Sequence, residues 1–176
     1  MMFTIILVSI SSFMVKVLAK MYGEDKRKIE DIFFTLLISG FIGARLSYGL
    51  MNINLYKDNI LSIFKVSHYN LSLIGGVIVG LLTLVTLSKK YKIEFQKLLK
   101  IFVIPFYFSM SIGIWVVIFD KFLLSFNISN NPIKVLYLSL MFLLAMILEL
   151  TGSKKIKYKY TTPIILSLVM LLYRIV

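Results

Sequence analysis

The sequence predicts an all-α membrane protein, a single bundle of about six transmembrane helices with both termini outside. Three observations predict it. Of the 176 residues 59% are hydrophobic and only 16% are charged, and the mean hydropathy is +0.91, outside the range of a soluble globular domain. The apolar residues gather in runs long enough to cross a bilayer, with short polar segments between them. Lysine and arginine concentrate in alternate segments, the pattern that orients a polytopic chain.

The first run covers about residues 2–19. It lacks a basic leading region and a small-x-small cleavage site, so it is expected to stay as a helix rather than be removed as a signal. Further runs span about residues 31–52, 70–88, 100–125, 133–151 and 161–176, and together they form one domain over 1–176. Loop one (Lys20, Lys26, Arg27, Lys28), loop three (Lys89, Lys90, Lys92, Lys97, Lys100) and loop five (Lys154, Lys155, Lys157, Lys159) are basic. Loops two and four carry only Lys57 and Lys65, and Lys121 and Lys134. Odd loops therefore face the cytoplasm. Loop two, residues 53–69, spaces Tyr56, Ile60, Leu61, Ile63, Phe64 and Tyr69 as a short amphipathic segment lying in the outer interface.

An excess of 20 Lys and Arg over 8 Asp and Glu gives a net charge of +12. Because these cations sit in short loops, they report topology and not nucleic-acid binding. With no cysteine, disulfides, thiolate metal sites and a cysteine nucleophile are excluded. No phosphate-binding glycine loop, zinc spacing or serine elbow occurs, so neither a cofactor nor a metal is expected.

The stretch 40–80 holds the residues that a lipid-facing helix would not carry without a reason. Arg45 lies about 14 residues into the second run, about 20 Å from its cytoplasmic start at 1.5 Å per residue, and so in the outer half of the bilayer. Gly75 and Gly76 enter from outside at a similar depth, where they permit close helix packing. Asp120 and Arg174 also fall in that half; Asp120 marks either the end of the fourth helix or a buried acid, and Arg174 reaches the outer headgroups. Lys16 and Glu149 lie near cytoplasmic ends, where snorkelling and the basic loops account for them. His68, the sole histidine, sits at the interface before the third run. A guanidinium is costly in hydrocarbon, and no acid lies within a turn of Arg45 along its own helix. Its compensation comes from another helix, with Asp120 at matching depth, or from an anionic lipid.

GARLSY at 43–48, Tyr56, the pair Ile63 and Phe64, and LSLIGGVIVGLL at 71–82 resemble the bacterial prolipoprotein diacylglyceryl transferases, as do the basic first loop and the Glu30-Asp31 pair. The resemblance covers about the first half of the chain. It implies transfer of the diacylglyceryl group of phosphatidylglycerol to a lipoprotein cysteine at the outer face of the cytoplasmic membrane. Arg45 and Arg174 would hold lipid phosphate, and Asp120 or His68 would carry the proton. Gly75, Gly76, Gly113 and Tyr48 would pack the site. The family's histidine before the glycine pair falls on Ile74 here, and its GRxGNFxN-like signature falls on 113–120, with Ile114 and Val117 in place of arginine and asparagine. Two functions follow: a divergent transferase acting on phosphatidylglycerol or another anionic phospholipid, or a non-catalytic membrane module that binds lipid, a lipoprotein precursor or another membrane protein.

Overall fold

The computed structural model describes residues 2–56, 71–119, 132–152 and 161–175. Within them the chain forms α1 (Met2–Met21), α2 (Lys26–Met51), a 3-10 turn (Ile53–Tyr56), α3 (Leu73–Tyr91), α4 (Phe95–Phe119), α5 (Pro132–Gly152) and α6 (Thr161–Ile175). This is an all-helical membrane bundle of six helices, with no strand among the described residues. Leu73–Tyr91, Phe95–Trp115 and Ile133–Thr151 are long and apolar enough to cross a membrane, and Thr161–Arg174 is a shorter apolar helix.

Helix ends follow local chemistry. α2 starts at Lys26, inside the charged stretch that the sequence assigns to loop one, because the Asp25 side chain accepts the Arg27 amide at 2.9 Å and caps it. α3 starts after Ser72, whose hydroxyl accepts the Gly75 amide at 3.2 Å. It ends at Lys92 in the left-handed region (φ 55°), where the Ile93 amide reaches back to the Ser88 carbonyl.

α4 is the central helix, packing on α1, α3, α5 and α6, while α2 and α3 form the tightest pair. The core runs along α4, through Leu98, Ile101, Ile104 and Tyr107, to Phe142 of α5 and Val15 of α1. Pro105 lies inside α4, so the Ile101 carbonyl has no helical donor. Two ion pairs tie the end that bears loops one and three: Lys16 to Glu30 at 2.7 Å, and Lys97 to Glu24 at 2.6 Å. Lys16 is thus held by an acid of the next helix, a partner that its depth alone did not identify.

Glu149 departs from its sequence-based expectation. It is not a surface acid: it is 2% exposed, and Thr162 Oγ1 donates to its Oε2 at 2.9 Å. Packing of the α6 start over the α5 end removes it from solvent.

Candidate functional site

Segment 43–47 of α2 lies directly on segment 72–76 of α3. The Ser72 amide donates to the Ala44 carbonyl at 3.0 Å, and the Gly76 amide donates to the Ser72 carbonyl at 3.0 Å. The glycines make this approach possible. A methyl group added at Gly75 would collide with the Ser47 side chain and lie 3.1 Å from the Gly43 carbonyl oxygen. At Gly76 it would lie 3.1 Å from the Gly40 carbonyl oxygen and 3.2 Å from Ala44 Cβ, and at Gly43 it would overlap Val79. These backbones are as close as side-chain-free helices allow.

Arg45 sits at this contact, half-buried, one residue from the Ala44 carbonyl that receives Ser72. Tyr48 lies one turn further on, and its carbonyl accepts both the amide and the side-chain Nδ2 of Asn52 at 3.0 Å, closing the end of α2. The structure sets Gly75 and Gly76 against Gly40, Gly43, Ala44 and Ser47 of α2, the stretch that also carries Arg45 and leads into Tyr48. Gly113 stands apart: it faces α1, where an added methyl would rest 3.7 Å from Leu7 Cδ1 in ordinary contact. Arg174 is exposed near the end of α6. His68 and Asp120 lie outside the described residues.

Beside the α2–α3 contact is an open-sided cavity of about 490 Å³ lined by α1, α2, α3 and α4, with Leu166 of α6. Ala44, Leu71, Gly76, Gly80, Phe102, Pro105 and Phe106 are among the residues that line it. Its lining is apolar or glycine except for Ser11 and Ser109, whose hydroxyls bond each other at 2.6 Å while Ser11 also donates to the Leu7 carbonyl at 2.7 Å. The two hydroxyls thereby satisfy each other and leave the cavity hydrocarbon-like. Gly80 also lines it, and a methyl added there meets nothing within 4 Å. Sequence reasoning marks the second and third runs here, through Arg45 and the glycine pair. It missed α1, whose Leu7, Val8 and Ser11 complete the wall and whose run has no polar mark beyond its serines.

Positions 74 and 114, where the resemblance puts a histidine and an arginine, present apolar groups. Ile114 is 4% exposed in the core, and Ile74 borders a smaller crevice between α3 and α6 with Ile78, Leu166 and Ser167. Among the described residues no group of three or more His, Cys, Asp or Glu side chains could hold a metal ion.

The chain is 31% identical over 98 residues to a phosphatidylglycerol–prolipoprotein diacylglyceryl transferase of Finegoldia magna, covering 56% of this chain and 40% of that protein. A protein of the same name from Listeria innocua is 31% identical over 91 residues (52% of this chain, 33% of the relative), and one from Fusobacterium nucleatum is 34% identical over 79 residues (45% and 27%). The matches thus span between about a quarter and two fifths of these relatives' length. No solved structure matches. A family model described as prolipoprotein diacylglyceryl transferase matches residues 1–176, and the chain belongs to that family.

Proposed function

We propose that this protein binds a phosphatidylglycerol-type lipid from the outer leaflet of the cytoplasmic membrane, with one acyl chain in the α1–α4 cavity and the phosphate at Arg45. What supports this reading is a hydrocarbon-lined cavity that Ala44 and Gly76 help to line, Ala44 being the residue before the half-buried Arg45 on α2. An apolar space accepts an acyl chain without desolvating any polar group, and the cavity volume falls in the range of small-molecule sites, roughly 300–1,000 Å³. A guanidinium offers two parallel donors to phosphate oxygens, which an ammonium cannot.

Membership of the family adds the chemistry. A lipoprotein cysteine thiolate would form a carbon–sulfur bond at the glyceryl carbon as the carbon–oxygen bond to phosphate breaks, glycerol phosphate leaving with the electron pair and the thiol proton passing to a base. Arg45, and Arg174 if α6 presents it to the same headgroup, would stabilise the departing phosphate charge. Asp120 and His68 are the proposed proton carriers.

A second reading keeps the lipid and omits the reaction. Ile74 and Ile114 favour it, because apolar side chains at those positions supply neither a proton nor a hydrogen bond to a transfer state.

Lipid binding is tested by native mass spectrometry of the full chain with Gly80→Phe. Gly80 lines the cavity and a methyl added there meets nothing within 4 Å, so the ring should occupy the cavity without collision. The expected result is a folded protein that no longer retains phosphatidylglycerol; retention at the unsubstituted level would overturn the site. Transfer is tested separately by complementing a strain depleted of its own diacylglyceryl transferase and reading lipoprotein mass. Lipidated cysteine supports the transferase, and unmodified precursor with normal lipid binding supports the second reading.

A further inference from the structure

A second polar centre lies where α4, α5 and α6 meet, away from the lipid cavity. Tyr107 of α4 is 0% exposed and Glu149 of α5 is 2% exposed. Glu149 Oε2 receives Thr162 Oγ1 at 2.9 Å, but its Oε1 and the Tyr107 hydroxyl have no hydrogen-bonding protein partner. Buried polar atoms in this condition cost the full loss of hydration, so one such atom calls for an explanation and two in one place call for a shared one.

The register of α4 and α5 aims the two side chains toward each other. Ser139 Oγ donates to the Ser111 carbonyl at 2.7 Å, and both Phe106 and Tyr107 pack on Phe142 with ring centroids 6.2 Å apart, which sets α4 antiparallel to α5. Side chains lean toward the N-terminus of their own helix. Tyr107 on α4 therefore leans toward the level of Glu149, and Glu149 on antiparallel α5 leans toward the level of Tyr107. The same antiparallel register puts Lys100, about two turns before Tyr107 on α4, near the level of Glu149.

We propose that the Tyr107 hydroxyl and Glu149 Oε1 hold a water molecule between them, making a buried hydration site that pins the first turn of α6 to α4 and α5. The gap exceeds a direct hydrogen bond, and water supplies the acceptor that tyrosine needs together with the donor that a carboxyl oxygen needs. A cation is a poorer occupant: the site offers a single carboxyl group, and the Lys100 ammonium already lies within its field. Thr162 then completes a chain from α6 through the acid and the water to α4. The site shares no residue with the cavity or with Arg45.

Tyr107→Phe in the purified full chain is the test, because it removes one oxygen and keeps the ring. A hydroxyl held by water lowers the melting temperature when removed, by about 2–4 °C for a chain of this size. A hydroxyl with no partner leaves the melting temperature unchanged or raises it. Infrared spectra in ordinary and heavy-oxygen water supply the second arm: a water O–H band that shifts with the isotope should vanish in both Tyr107→Phe and Glu149→Gln. A lowered melting temperature together with that band supports the site. A raised or unchanged melting temperature, or a lowered one with no isotope-sensitive band, as a direct tyrosine–carboxyl bond would produce, overturns it.

Discussion

The Ser72 amide donates to the Ala44 carbonyl at 3.0 Å, so the cap of α3 is fastened to α2 one residue before Arg45. Few backbone hydrogen bonds join separate helices, because each helix normally satisfies its own groups. Here Ser72 is the cap residue, its amide lies outside the helical ladder, and the glycines opposite let it reach α2. The position of Arg45 is set by this fastening.

Replacing Gly75 or Gly76 with leucine should therefore destabilise the protein by about 1–3 kcal/mol or more, since the added volume meets backbone and short side chains that cannot yield. Gly113→Ala, with its 3.7 Å of room, should be tolerated. Thermal unfolding in detergent checks all three, and a melting temperature unchanged in Gly76→Leu would place the pair against lipid.

Arg45→Lys keeps the charge and loses the two-pronged donor geometry. It should weaken retention of phosphatidylglycerol about tenfold in native mass spectra, the size expected for loss of one charge-assisted contact. Asp120→Asn should leave binding intact. Retained lipid in Arg45→Lys together with unfolding of Asp120→Asn would instead assign the arginine to an ion pair.

Trp115 Nε1 donates to Ser139 Oγ at 2.8 Å, and Ser139 is buried. Trp115 is the only tryptophan in the chain, so its emission reports this contact alone. Ser139→Ala should shift the emission and cost about 1–3 kcal/mol, because a buried indole N–H loses its acceptor. An unaltered spectrum would contradict the contact.

Orientation is open to a direct test because the chain has no cysteine and so gives no labelling background. Lys90→Cys, on the exposed last turn of α3, should react with a membrane-impermeant maleimide only after cells are opened. Ile53→Cys, exposed at the opposite end of the α2–α3 pair, should react in intact cells. The reverse pattern would invert the proposed topology.

Much of this protein was legible in its sequence. Six apolar runs separated by alternating basic loops determined the helices, because a backbone in hydrocarbon must satisfy its own hydrogen bonds and can do so only as helix or closed barrel. GARLS and the double glycine could be matched by depth, since 1.5 Å per residue turns position into height. Height, however, says nothing about rotation. Gly113 shares the glycine's lack of a side chain with Gly75 yet faces Leu7 of α1 at ordinary contact distance, and Glu149 shares its depth with the basic loops yet is sealed under Thr162. Which face of a helix meets which neighbour depends on interlocking of side chains between helices distant in the chain, and that was decided only when α1, α4 and α6 closed around the α2–α3 and α4–α5 pairs.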